Sequence, residues 1–285
     1  MEEVVIKIKN IFPINENEQE LIKFIGRFQY LLSKDAKYFF NDTYYPKRIK
    51  RLVNNKILRR YKRCLMLAEN GYSFLQMSNQ KIVHPIYNKN YVERLKFLSH
   101  LSAIYYHNEY IKFTPSYEIK DKNVYTETSR RYMGVLNIFG TKYLTYHISK
   151  NNSKQYISAI MFDIQKENKY KNIIILIDDI SRIDFNDFTF GLNSVIICED
   201  TDEKLEQLKY IQQINWSKII QKNYKEKVHL SEYNFCDYTD NEQKYITTFY
   251  LIDTEKINRI NNFTQNNLKK HAEIICTKEI AEILR

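Results

Sequence analysis

From residue 16 to residue 32 the apolar positions Leu21, Phe24, Ile25, Phe28, Leu31 and Leu32 recur mostly three and four apart, the spacing that collects side chains on one helix face. Ahead of them, Val4, Ile6 and Ile8 recur at every second position, which predicts a strand or arm over 1–15 ended by Pro13. Ser33 suits a cap, and the SKDAKYFF run turns Ala36, Phe39 and Phe40 to the buried side of a second, short helix. Asn41 and Asp42 break it. Pro46 then suits the first turn of a third helix, in which Ile49, Leu52 and Val53 share one face while Lys47, Lys50, Arg51 and Asn54 point away. Residues 57–60 and 64–67 read as two short strands around a cationic turn, and 68–77 as a further helix.

Past a polar stretch with Pro85 over 79–90, which reads as a linker, Phe97, Leu98, Leu101, Ile104 and Tyr105 stripe a helix over 91–110. The period then shortens. Strands are expected at 113–120, 134–139, 142–148, 173–178, 194–199, 245–253 and 273–277, with Gly140-Thr141 as a hairpin turn. Helices are expected at 154–167, 202–214, 255–267 and 278–284. This alternation implies a mixed α/β domain with a partly parallel sheet, placed after an N-terminal helical unit. A length of 285 residues accommodates two domains, set at 1–90 and 91–285.

Charge changes the picture in one place. The net charge is +10, in a chain also rich in Lys, Ile, Asn and Tyr, as coding bias alone would produce. Yet residues 1–113 hold 20 Lys/Arg against 10 Asp/Glu, whereas the remainder holds 24 of each. Within residues 43–63, TYYPKRIKRLVNNKILRRYKR, nine of twenty-one residues are cationic, five of the chain's 12 Arg occur, and no acid stands between Thr43 and Ala68. A localised basic patch on an amphipathic helix is the footprint of a nucleic-acid surface. The other reading is a solvated charged face, or one that meets an acidic protein partner.

The order of helix, short helix, turn and basic helix is that of helix-turn-helix proteins. Leu52-Val53-Asn54-Asn55-Lys56-Ile57-Leu58-Arg59-Arg60, followed by Leu67-Ala68-Glu69-Asn70-Gly71-Tyr72, resembles the recurring arrangement of winged helix-turn-helix domains. Asn55 stands where that arrangement commonly has a left-handed Gly, and Ala68 stands in place of a capping Thr. The helix with His100, the segments FTPSYEIK, SRRYMGVL and YLTYHIS, and the helix after them are similar to replication-relaxation type proteins of plasmids, phages and conjugative elements. That resemblance covers about residues 98–178. It implies a winged helix joined to a restriction-endonuclease-like domain, often degenerate, and a role in replication initiation, transfer or transcriptional control of a mobile genetic element.

The chemistry follows from residue types. Lys47, Arg48, Lys50, Arg51 and Asn54 are expected in the major groove, where Arg matches guanine's acceptors and Asn matches adenine's edge. Arg59, Arg60, Lys62 and Arg63 are expected on phosphates from the wing. Tyr44, Tyr45 and Tyr61 interleave with them and could stack on sugars or bases, but in a chain with 24 Tyr each is better explained by packing or coding bias. Duplex DNA is the expected partner, bound by a homodimer or cooperatively on repeats, because one helix reads too few bases.

A nuclease reading rests on Glu118-Ile119-Lys120, an E-x-K on an expected strand, with Glu109 as second carboxylate on a helix; Asp121 and Glu127 follow too late in the chain. Asp178 and Asp179, with Asp184 and Asp187, form a second acidic group after the 173–177 run, a place where α/β folds hold a metal or ligand, but such residues more often cap the next helix or turn the loop and are read so here. The six His and four Cys (64, 198, 236, 276) show no ligand spacing, so no metal or cofactor is expected and the thiols read as reduced and mostly buried. Five Gly form no phosphate loop, which argues against a nucleotide-driven motor. The acidic start MEEVVIKIKN and the shortness of the run 173–177 predict a cytoplasmic protein with no membrane partner.

Overall fold

In the computed structural model, which describes residues 13–40, 43–80, 87–120, 130–211, 213–223, 229–234, 236–239, 245–266, 272–276 and 281, the first helix is set by its cap. Asn15 accepts from the Glu18 N–H and the Glu18 carboxylate accepts from the Asn15 N–H, so two backbone donors at the start of α1 (Glu16–Phe28) are satisfied reciprocally. Leu21, Ile22, Phe24, Ile25 and Phe28 form its buried face. The arm expected over 1–15 lies outside the described residues, apart from its last three.

After β1 (Leu31–Leu32), residues Ser33–Phe39 wind as a 3-10 helix, tighter than the α-helix expected there, and bury Asp35, Ala36 and Phe39. The basic helix α2 (Tyr45–Asn54) carries Pro46 in its first turn and buries Ile49 and Leu52. β2 (Leu58–Tyr61) and β3 (Cys64–Leu67) pair antiparallel, and Tyr61 pairs with Cys64, so the hairpin closes in a two-residue turn of Lys62 and Arg63. β1 adds to the other side of β3, which leaves β2 as a cationic edge strand. α3 (Glu69–Met77) begins at Ala68 with no side-chain cap bond.

The chain forms two compact units, Met1–His107 and Asn108–Arg285. α4 (Lys89–Ile104) therefore belongs with the first unit, and the division falls after His107 instead of at 90/91. The reason is where its first turns find partners: Val92 and Leu95 are buried with Tyr30, Cys64 and Met66. His100 of α4 also meets the buried Asp35, Nδ1 to Oδ2 at 2.9 Å.

In the second unit β4 (Ile111–Pro115) is shorter than expected, because Ser116–Ile119 turns into the short helix α5. β5 (Gly134–Ile138) and β6 (Thr141–Ile148) continue an antiparallel meander. The turn between them is Phe139-Gly140, both at positive φ, one residue before the expected Gly140-Thr141. α6 (Lys154–Gln165) then crosses over to β7 (Asn172–Ile177), and β8 (Ser194–Glu199) follows; both are parallel to β6. Leu144, Tyr146, Ile148, Ile173, Ile175, Ile177, Val195 and Ile197 make one face of this sheet, which is buried with Ile160 and Ile164 of α6.

Residues expected as one helix over 202–214 are α7 (Asp202–Gln207) and a 3-10 turn, Leu208–Tyr210; α8 (Trp216–Asn223) was not anticipated. β9 (His229–Leu230), β10 (Tyr238–Thr239) and β11 (Tyr245–Phe249) join a second sheet, while β12 (Ile252–Asp253) pairs with β8. The strand expected at 245–253 is thus shared between two sheets. α9 (Thr254–Asn266) and β13 (Ala272–Cys276), parallel to β11, close the described fold. The helix expected at 278–284 lies outside the described residues except residue 281. The architecture is mixed α and β.

Candidate functional site

Two groups of side chains stand out from the packing. The first is the basic surface of the N-terminal unit. Lys47, Lys50, Arg51, Asn54, Arg59, Arg60, Lys62 and Arg63 are all exposed, and Arg48 is half-buried. The pattern follows from burying Ile49 and Leu52: on a helix of 3.6 residues per turn, that choice turns Lys47, Lys50, Arg51 and Asn54 outward.

Several of these cations already have local partners. Arg51 Nη2 lies 2.5 Å from Glu18 Oε1, and the Glu18 side chain is fully buried, so Arg51 ties α2 to the capped start of α1. Arg48 lies 5.7 Å over the Phe40 ring and Lys47 5.2 Å over the exposed Tyr44. Arg59 donates to the Tyr87 hydroxyl at 2.7 Å. Asn55, expected in the left-handed region, has φ −87; Lys56 takes that conformation instead, at φ +54.

The E-x-K group is not on a strand. Glu118 lies in α5, while Lys120 Nζ donates to the Arg130 carbonyl and sits 4.7 Å over the Tyr132 ring. Glu109, expected on a helix, stands in a bend after α4 has ended at Ile104. Asp121 and Glu127 lie outside the described residues. Among the described residues, neither Glu109 nor Glu118 belongs to a group of three side chains placed to share a metal ion.

The second group is His147, Asp178 and Asp200, which do form such a group. They stand at the carboxyl ends of β6, β7 and β8. His147 Nε2 is 3.1 Å from Asp178 Oδ1 and 3.3 Å from Asp200 Oδ2. Burial disfavours protonation of His147, yet the two carboxylates beside Nε2 outweigh burial and raise its pKa above the ordinary value. The His147 hydrogen bond foremost, helped by the Lys150 N–H, holds the Asp178 carboxyl at about 2 against its own desolvation.

Only Asp178 was visible in the sequence as a candidate. Ligand-spacing motifs do not reach across 31 and 22 residues, and the sequence signal that remains is positional: polar residues directly after buried parallel strands. Asp179 of that stretch caps a turn. Asp179 accepts from the Ser181 N–H at the start of a 3-10 turn, and the Asp187 N–H bonds the Asp184 carbonyl. The four Cys are free thiols, three of them buried, and burial pushes Cys198 up to about 12.

Comparison of the chain with protein-family models, curated proteins and solved structures found no match. Among the described residues no helix is long and apolar enough to cross a membrane.

Proposed function

We propose that the N-terminal unit is a winged helix-turn-helix module that binds duplex DNA in a sequence-dependent way, with α2 in the major groove and the β2–β3 turn on phosphates. The observation that carries this reading is the placement of Lys47, Lys50, Arg51, Asn54, Arg59, Arg60, Lys62 and Arg63 on the exposed surface of one helix and one hairpin. The order α1, β1, 3-10 helix, α2, β2, β3, α3 agrees with it. The setting suggested by the resemblance is a mobile genetic element, with the second unit serving assembly. Binding as a homodimer or cooperatively on repeated half-sites follows from the few bases one helix reads. The meander followed by parallel strands agrees with a degenerate restriction-endonuclease-like domain, since β5 and β6 carry no Asp or Glu.

Fluorescence anisotropy with duplexes selected from a random pool tests the proposal. Arg48→Ala is expected to cost about 1–3 kcal/mol and to relax sequence preference if Arg48 touches a base. Lys47→Ala with Lys50→Ala is expected to weaken all duplexes alike and to flatten the salt dependence. Arg51→Ala is a poorer probe, because it also strips buried Glu18 of its cation. Unchanged affinity at low salt in the Lys47/Lys50 variant sinks the assignment.

A further inference from the structure

The parallel ladder puts His147 level with Leu176 and Cys198 on the neighbouring strands. Residues level in a parallel sheet share a face, and residues two further along a strand return to it. Asp178 is two beyond Leu176 and Asp200 two beyond Cys198, so all three groups emerge on one face at one end of the sheet. The ladder also continues past the strand ends. The Asp178 N–H bonds the Ile148 carbonyl at 3.1 Å, and the Asp200 N–H bonds the Ile177 carbonyl at 2.8 Å. Both carboxylates therefore stand on fixed backbone.

One ring nitrogen faces both of them. Nε2 carries at most one proton, and a single N–H cannot point along two lines at once. Asp200 adds a second observation: its Oδ1 is buried and has no hydrogen-bond partner among the described residues. A buried carboxylate oxygen left so bears its full desolvation, which a cation would offset.

The spacings suit an ion. Nitrogen and oxygen ligands bind transition metals at about 2.0–2.2 Å, which sets neighbouring donor atoms about 3.0–3.5 Å apart. The two contacts of Nε2, at 3.1 and 3.3 Å, fall in that range. An imidazole beside two carboxylates selects against Mg²⁺ and Ca²⁺, which prefer oxygen alone. Three protein ligands leave coordination positions open.

We propose that His147 Nε2 and the carboxylates of Asp178 and Asp200 bind one divalent transition-metal cation of the Mn²⁺, Co²⁺ or Zn²⁺ class. The open positions lie on the side of Asp178, the most exposed of the three, and take water or an anionic oxygen. The site lies wholly within Asn108–Arg285 and stands independently of the DNA-binding reading.

The full-length protein, treated with chelator and then freed of it, is titrated with Co²⁺ and followed by visible absorption, and with Mn²⁺ followed by electron paramagnetic resonance. The expected result is one ion per chain, with no thiolate charge-transfer band. His147→Ala, Asp178→Asn and Asp200→Asn are each expected to weaken binding by at least about tenfold. No saturation of the wild-type protein at millimolar metal overturns the proposal. So does binding that survives unchanged in the three variants. Should Asp200→Asn fail to fold, Asp178→Asn alters a half-exposed carboxylate and keeps the test decisive.

Discussion

Lys56 holds a left-handed backbone conformation, φ +54, between α2 and β2, and it does so with a full side chain. Its N–H bonds the Val53 carbonyl and its own carbonyl accepts from the Asn70 N–H, so the strain is held in place from both sides. A side chain in this region costs about 1–2 kcal/mol, part of which glycine returns as lost entropy. Lys56→Gly is therefore expected to stabilise the protein by about 0.5–1 kcal/mol, measured as a higher urea midpoint at unchanged slope. A lower midpoint would show that the Lys56 side chain contributes more than its backbone costs. At this scale the sequence displayed the left-handed turn but assigned it one residue early, to Asn55. Residue preferences named a tolerant residue; the hydrogen bonds around the turn chose its neighbour. Arg51 makes the same point. Its spacing put it on the outer face, where it is, but only the fold brought Glu18 beneath it.

Among the elements, α3 depends on one small residue. A Cβ on Gly71 would lie 2.3 Å from the Ile57 carbonyl oxygen, which also accepts from the Ala68 N–H. The helix thus rests directly on the backbone entering the hairpin. Gly71→Ala is expected to destabilise by about 1–3 kcal/mol, seen in thermal or urea unfolding, because backbone cannot yield as a side-chain tip can. A neutral effect would mean that α3 shifts freely on the hairpin. Short apolar runs between turn signals are legible: 194–199 coincides with β8, and 134–139 and 142–148 differ from β5 and β6 by one residue. The run 245–253 was not, since an apolar stretch does not state its partner, and here two sheets divide it. β9 and β10, of two residues each, are too short to carry a period.

Taken whole, the molecule separates charge by unit. Met1–His107 holds 19 Lys/Arg against 9 Asp/Glu, while Asn108–Arg285 holds 25 of each, so the entire excess of +10 lies in the unit that carries α2 and its hairpin. That unit has its own buried cluster. A chain ending at His107 is expected to keep the steep salt dependence of duplex binding and to lose cooperative loading, whereas 108–285 alone is expected to bind no duplex. Titrations of both fragments from low to moderate salt check this. Equal affinity of the two fragments would detach the charge excess from DNA.

What the sequence determined by itself is local and periodic. It specified the amphipathic basic helix, the hairpin after it, the change to short strands and helices, and the one-sided charge, because each is written in neighbours a few residues apart. The tertiary structure alone decided the remainder. It moved α4 to the first unit by burying Val92 and Leu95 with Tyr30, Cys64 and Met66, and it took E-x-K off the sheet by turning the chain at Ser116. It also brought His147, Asp178 and Asp200 within 4.8 Å of one another. A turn fixes the register of a hairpin, but between the crossover-connected strands β6, β7 and β8 register is decided only when distant segments pair.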